Sequence, residues 1–308
     1  MENSETNFVR IIKEICRENQ ITVRSFGGDW GFLLEKDGHR GFIIGYQFGL
    51  NAAVSKDICT DKSIASEIME QDGVPCVKHI CFMAPHMFQY VGGNGNWQEL
   101  TKLLNQYGVI VCKDNAGTGG NQVYLVRNQK ELEQAADAVF QRADAMAVSP
   151  YYPIHDEYRV ILLDGEVQIV FQKIRRHLTG NGTSTVRKLY AEYLLEGGRS
   201  HANLPAADLD RVLREGEEYF LNWKHNLGQG ADARVMEENE ADAICALARR
   251  AAACLNIRFS SVDVVMTEEG LKVMEVNAGV MMENLAGMSR EYYEKAKSIY
   301  ERAIFKML

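Results

Sequence analysis

The sequence predicts an α+β fold, and three observations carry that prediction. Pairs of apolar runs meet at short turn signals, Asp37-Gly38, Asp164-Gly165 and Glu268–Gly270, which reads as hairpins. Segments with apolar residues three and four apart follow these hairpins, which reads as helices. The two kinds of segment do not repeat as strand–helix–strand units, so hairpins and helices build separate lobes and not one doubly wound sheet.

In chain order, Phe8, Ile11, Ile12 and Ile15 share a helical face over Phe8–Cys16. "WGFLLEKDGHRGFIIGY" holds two apolar runs around Asp37-Gly38, and Asp-Gly suits a turn with positive φ. Asp61 is placed to cap a helix whose apolar face is Ile64, Ala65, Ile68 and Met69, with Gly73 and Pro75 as its stop. Strands are expected at Val109–Cys112 and Val123–Val126, and a helix over Gln129–Ala143. Tyr158–Leu163 and Val167–Lys173 form the next hairpin. The spacing predicts helices over Leu209–Tyr219 and Ala241–Leu255, strands at Val262–Met266 and Leu271–Val276, and a helix over Arg290–Phe305.

A chain of 308 residues is longer than one usual domain, so two or three lobes are expected. Residues 1–55 read as a short N-terminal region, 56–150 as a linker helix and central lobe, and 151–308 as a C-terminal lobe. The formal net charge of −8 gives no electrostatic attraction for nucleic acid or anionic lipid, so neither is expected as a partner. The seven cysteines include no Cys-x-x-Cys pair and are odd in number, which fits reduced thiols better than a disulfide framework. The start "MENSETNFVR" has no apolar signal core, and no apolar run is long enough to span a bilayer, so a cytoplasmic location is expected.

Two stretches carry chemistry. In "GVIVCKDNAGTGGNQVYLV", Lys113 ends an apolar run and a loop with Gly117, Gly119 and Gly120 follows. Free backbone N–H groups in such a loop can cradle phosphate oxygens. A plain flexible hairpin loop has the same composition, and neither a Walker A nor a Rossmann fingerprint is present. In "SVDVVMTEEGLKVMEVNAGVMMEN", Glu275 and Asn277 lie at i and i+2 of one strand, on one sheet face, and Asp263 lies on its partner. Two carboxylates and an amide oxygen are hard ligands suited to Mg²⁺ (or Mn²⁺) shared with phosphates. Three exposed polar groups at a strand end are the alternative.

With these residues in view, the chain resembles the ATP-grasp superfamily of carboxylate–amine ligases, over roughly Lys56 to Asn284. It is most similar to the amino-acid-adding branch of cyanophycin synthetase-like, glutathione synthetase-like and glutamate ligase-like enzymes. "TDKSIASEIMEQDGVPCVKH" is similar to the Asp-Lys helix followed by Gly-Val-Pro, and "VIVCKDNAGTGG" to the strand, lysine and phosphate loop. "AVSPYYPIHDEYRVILLDGEV" resembles the hinge that holds adenine and ribose, with Ser149 where the family usually has an acidic residue. "FQKIRRHLTGNGTSTVRKL" resembles a basic residue followed by Thr-Gly-Asp-Gly and Thr-Val-Arg. "FLNWKHNLGQGA" resembles Arg-x-Asn-Leu-x-x-Gly-Gly, with Lys224 for arginine, and "NAGVMMEN" replaces Asn-x-x-Pro-Gly.

The resemblance implies an ATP-grasp fold with the nucleotide held between two α+β lobes. It implies ATP contacts from Lys62, Lys113, Gly117, Thr118, Gly119, Gly120, Ser149, Tyr151, Glu157 and Lys173, and Mg²⁺ on Asp263, Glu275 and Asn277. Lys224 and Asn226 would act on the reacting carbonyl, and Arg187 would hold a substrate carboxylate or sit on a solvated basic face with Arg175 and Arg176. The implied reaction joins an amino acid or small peptide carboxylate to an amine through an acylphosphate, releasing ADP and phosphate. A carrier-protein or peptide acceptor is a second reading, a non-catalytic ATP-binding member a third, and a homodimer is compatible with the family. Cys112 reads as a small buried strand residue, the alternative being a reactive thiol beside Lys113. His177, His201 and His225 read as pocket-wall or structural histidines, the alternative being a general base, for which His225 is best placed within the Lys224–Asn226 motif. Glu283 either caps a helix or binds an ammonium. Trp30, Phe32, Phe42, Tyr46 and Phe48 are either hairpin core or a docking surface.

Overall fold

The computed structural model describes residues 5–92, 97–196 and 204–308. His201 therefore lies outside the described residues. The chain divides into unit 1, Met1–Val170 with Met236–Leu308, and unit 2, Phe171–Val235.

Unit 1 begins with α1 (Asn7–Glu18), whose buried face is Phe8, Val9, Ile11, Ile12, Ile15 and Cys16, as its apolar spacing requires. Strands β1 (Thr22–Phe26), β2 (Gly31–Lys36), β3 (His39–Ile44) and β4 (Gln47–Phe48) form an antiparallel sheet in that order. The β2–β3 turn is the expected Asp37-Gly38 pair, with φ of +49° and +83°. Phe32 and Phe48 belong to the core, whereas Trp30 and Phe42 are 62% and 56% exposed. Helices α2 (Ala53–Thr60) and α3 (Lys62–Gln71) follow. Asp61 caps α3 by accepting from the Ser63 and Ile64 amides, and Gly73 takes a positive φ beyond its end.

Next come β5 (Ile80–Met83), α4 (Phe88–Val91), α5 (Trp97–Tyr107), β6 (Ile110–Asp114), β7 (Val123–Val126), α6 (Gln129–Phe140) and β8 (Ala145–Pro150). Their strands make a sheet ordered β5-β8-β6-β7. One face of that sheet is core, with Phe82, Ile110, Cys112, Met146 and Val148 packed with residues of α5 and α6. The Cys112 thiol is fully buried and burial pushes its pKa up to about 12, so it stays protonated.

The hairpin β9 (Asp156–Leu163) and β10 (Glu166–Ile174) carries the chain from unit 1 into unit 2. Unit 2 holds β11 (His177–Thr179), α7 (Val186–Leu195), β12 (Glu218–Phe220) and most of β13 (Asp232–Met236), around a small core of Leu178, Val186, Leu213 and Leu221. Here the expected helix over Leu209–Tyr219 does not form. A 3-10 turn at Ala206–Asp208 leads into irregular chain and then β12, which pairs with β11. The carbonyls of Leu209 and Arg211 accept from the Arg187 and Val186 amides at 2.9 Å, so they serve the start of α7 instead of an internal helix ladder. Gly180 is required at the crossing, since a Cβ there would lie 2.0 Å from the Arg214 carbonyl oxygen.

Back in unit 1, α8 (Asp242–Cys254), β14 (Phe259–Thr267), β15 (Gly270–Asn277), α9 (Glu283–Ala286) and α10 (Arg290–Met307) complete the chain. Strands β10, β9, β14 and β15 are neighbours in that order. One face packs Val160, Leu162, Val262, Val264 and Val276 with Ala248 and Ala251 of α8. Tyr300 of α10 stacks on Phe48 at 5.6 Å and lies edge-on to Phe8 at 5.1 Å. Glu283 accepts from the Asn7 and Phe8 amides at 2.8 Å each, so it satisfies the first amides of α1 alongside the Thr6 N-cap.

Candidate active site

The polar face of the β9–β14–β15 sheet is dictated by strand alternation. Asp263 stands opposite Glu275 on one side and opposite Arg159 on the other. Ser261 stands opposite Asn277. Glu157, Arg159, Asp263, Glu275 and Asn277 therefore share one face, while Val160, Val262, Val264 and Val276 fill the core on the other. This is the convergence that the i, i+2 spacing predicts.

Arg159 is the member of this row that motif reading passes over. Its Nε and Nη2 donate to Asp263 Oδ1 and Oδ2 at 2.7 Å each. Burial works against the guanidinium charge, but Asp263 outweighs it and raises the Arg159 pKa above its ordinary value. Asn277 Nδ2 donates to Glu275 Oε1 at 3.1 Å, leaving the amide oxygen of Asn277 and the second carboxylate oxygen of Glu275 outside that bond. In "DEYRVILL" the arginine is a lone cation in an alternating strand, and only its cross-strand partner Asp263 distinguishes it from a solvent-facing side chain.

The two lysines predicted to meet phosphate lie close to this row. Lys113 is 8% exposed at the end of β6. Burial lowers its pKa to about 8, Glu275 resists that fall, and Lys62 adds to it by repulsion. Lys62, the first residue of α3, is also lowered by burial and is partly restored by Glu275. Its Nζ donates to the carbonyls of Asn115 at 3.2 Å and Gly117 at 2.5 Å, so it clasps the start of the glycine loop. In that loop Gly119 and Gly120 adopt φ of +71° and +70°, and Thr118 is exposed. Asp263, Glu275 and Glu157 thus match Arg159, Lys62 and Lys113 in charge.

Ser149 is buried on β8 opposite Val111 of β6, and Tyr151 is partly exposed just beyond it. In unit 2, Lys173 is buried on β10. Lys224 is half-buried beside the Trp223 ring, 5.5 Å from its centroid, and burial lowers its pKa. Asn226 Oδ1 accepts from the Gly228 amide at 2.7 Å, and His225 is buried. Arg187 is exposed and pairs with Asp210. Arg176 is committed to Asp232 and Tyr193, and Arg175 lies over the Phe220 ring. Among the described residues there is no cluster of three His, Cys, Asp or Glu side chains, so a hard cation on this face would need the Asn277 oxygen in its donor set. Also among the described residues, no helix is long and apolar enough to cross a membrane.

No family model matches the chain. Among curated proteins, the cyanophycin synthetase of Geminocystis herdmanii is 27% identical over 197 residues, covering 55% of this chain and 22% of that protein. The cyanophycin synthetase of Nostoc is 24% identical over 266 residues, covering 79% and 28%. The bifunctional glutathione biosynthesis protein of Streptococcus mutans is 25% identical, covering 69% and 29%. The chain thus spans between a fifth and a third of the length of these relatives. Among solved structures, the bifunctional glutathione synthetase of Pasteurella multocida superposes with a TM-score of 0.56 at 15% identity, covering 95% of this chain and 44% of that one. The D-alanine–D-alanine ligase of Bacillus anthracis gives 0.54 at 17% identity, covering 83% and 71%. The fold is therefore the α+β fold of the ATP-grasp enzymes. By sequence the chain is similar to cyanophycin synthetases and to bifunctional glutathione biosynthesis proteins, over part of their length.

Proposed function

We propose that the chain is an ATP-dependent ligase that forms an amide bond between the carboxylate of an amino acid or small peptide and an amine. One observation carries this reading. Lys62 and Lys113 are held as neighbouring, poorly hydrated cations beside a row of carboxylates, and each is lowered in pKa by that placement. Burial lowers both despite the nearby carboxylates, so neither charge is fully offset, and a polyanion that joins them would relieve the cost. A triphosphate is such a polyanion, and the glycine loop beside Lys62 offers backbone N–H groups to it.

In this reading Lys62, Lys113 and Lys173 hold phosphates, Gly117, Thr118, Gly119 and Gly120 cover them, and Ser149, Tyr151 and Glu157 line the nucleoside. Asp263, Glu275 and the Asn277 oxygen would hold Mg²⁺, a Lewis acid that offsets charge on phosphate oxygens. Asp263 would then be shared between Arg159 and the ion. A substrate carboxylate oxygen attacks the γ-phosphorus, the bond to the β,γ-bridging oxygen breaks, and ADP leaves. The amine nitrogen then attacks the acyl carbon, phosphate leaves, and a proton is lost from nitrogen. Lys224 and Asn226 would stabilise the oxyanion, with Arg187 on the substrate carboxylate once released from Asp210.

The test is a screen of amino acids and short peptides, in pairs, for ADP release, with mass analysis of the product. Acceptor-dependent ADP and phosphate support the reading, and AMP with pyrophosphate overturns it. A macromolecular acceptor is favoured by one feature, the exposed side chains Phe26, Trp30, Phe42 and Ile44 near the N-terminus. Trp30→Ala would then abolish capture of a carrier-protein or peptide acceptor while sparing ATP turnover.

A further inference from the structure

His79 stands one residue before β5 and is 5% exposed. Strand pairing fixes its surroundings. Cys81 lies opposite Ala147, and Ala147 lies opposite Lys113, so these three share a face of the β5–β8–β6 sheet. Ser149 and Val111 extend that face, and Phe82, Ile110, Cys112, Met146 and Val148 occupy the core face. By the same alternation His79, two residues before Cys81, falls beside Ser149 on the Lys113 face.

The imidazole has one nitrogen engaged and one unengaged. Its ring hydrogen-bonds to the Val77 backbone, and Nε2 is buried with no hydrogen-bond partner among the described residues. The engaged nitrogen is therefore Nδ1, which donates to the Val77 carbonyl. Burial and the charges of Lys113 and Lys62 drive the ring pKa well below its ordinary value, so the ring is neutral. A neutral imidazole that donates from Nδ1 carries a bare lone pair on Nε2. A buried acceptor without a donor is costly, and such a group in a native fold calls for a reason. Backbone pairing fixes the N-terminal side too, since the His79 amide donates to Ser66 Oγ at 3.0 Å.

We infer that His79 is a base-reading residue of the nucleotide site, whose Nε2 lone pair accepts a hydrogen bond from the exocyclic amino group of adenine. This deepens the ATP-dependent reading above and rests on it. The chemistry is one-sided. Adenine presents an N–H donor at that position, whereas hypoxanthine and guanine present a carbonyl oxygen, which would face Nε2 lone pair to lone pair. A site built to pair one hydrogen-bonding group rejects the analogue that lacks it far more strongly than a merely apolar pocket does.

The experiment compares ADP with IDP by calorimetry on the full chain, with Mg²⁺ present, in wild type, His79→Leu and His79→Gln. Wild type is expected to prefer ADP by roughly ten- to a hundredfold. His79→Leu is expected to weaken ADP by about tenfold and bring the ratio close to one. His79→Gln, whose amide can turn to present either oxygen or nitrogen, is expected to keep ADP affinity and gain IDP affinity. In wild type, the ¹⁵N resonance of His79 Nε2 should move on adding ADP and stay on adding IDP, a readout that survives if a variant fails to fold. A wild type that binds ADP and IDP equally, or an ADP preference that persists in both variants with an unmoved Nε2 resonance, overturns the inference and leaves the ligase reading standing. A wild type that binds neither nucleotide overturns both.

Discussion

At the scale of the residue, Lys113 concentrates the physics of the site. Its ammonium is buried, repelled by Lys62 and only partly answered by Glu275, and its pKa falls to about 8 from 10.5. The unfolded chain holds that proton more tightly than the folded one. The contribution of Lys113 to stability is therefore lowest below pH 8, where both states are charged, and rises between about pH 8 and 10.5 as the folded state sheds the proton first. Lys113→Met removes the penalty, and at pH 7 the variant is expected to gain up to about 3 kcal/mol in urea unfolding without ligand. The same variant is expected to lose most nucleotide affinity. A destabilised variant, or one that binds nucleotide like wild type, would show that Lys113 has a different role. Cys112, one residue earlier, faces the opposite side and is inert for the matching reason that strand alternation puts it in the core.

At the scale of the element, the β9–β14–β15 sheet keeps a charged row on one face by pairing Arg159 with Asp263. Removing one partner leaves the other buried and unpaired. Arg159→Met is expected to cost about 3–5 kcal/mol, and the double variant Arg159→Met with Asp263→Leu to recover much of that loss. Urea unfolding of the wild type, both single variants and the double variant closes the cycle, and additive losses would show that the pair is not coupled. This row also shows what a sequence can and cannot express. Asp263, Glu275 and Asn277 were legible because a period of two puts i and i+2 on one face and because carboxylates among valines are conspicuous. Arg159 was not, because a single arginine in an alternating strand looks like any solvent-facing side chain until its cross-strand partner is known. The segment Leu209–Tyr219 was misread for a tertiary reason: Leu213 is buried at a helical spacing, yet the carbonyls around it serve the amides at the start of α7. Strands β5 and β8 are not legible because "ICFM" and "AMAVSP" are short and pair across a long intervening segment, with no adjacent hairpin partner in sequence.

At the scale of the whole molecule, the passage between units 1 and 2 falls inside strands β10 and β13. No Pro- or Gly-rich linker marks it, which is why composition gives no hint of it there. If the ligase reading holds, ADP with Mg²⁺ should stabilise the whole chain by mass action. At a hundred times its Kd the gain is about 2.7 kcal/mol, read as a rise in melting temperature, and chelating the metal should remove most of it. A chain that melts at the same temperature with and without ADP and Mg²⁺ has no such site. The thiols offer a way to see where any such tightening is felt. Cys16, Cys59, Cys76, Cys112 and Cys245 are buried, and Cys81 and Cys254 are partly so. Cys59, Cys76 and Cys245 share the core cluster that includes α8, Cys112 lies in the core of the β6 sheet and Cys16 on the buried face of α1, and burial raises the pKa of all seven thiols. Alkylation of any of the five buried thiols must then wait for its own neighbourhood to open, which makes the cysteines native clocks for three separate cores, whose slowing on ligand addition would map the reach of the site without a single introduced label.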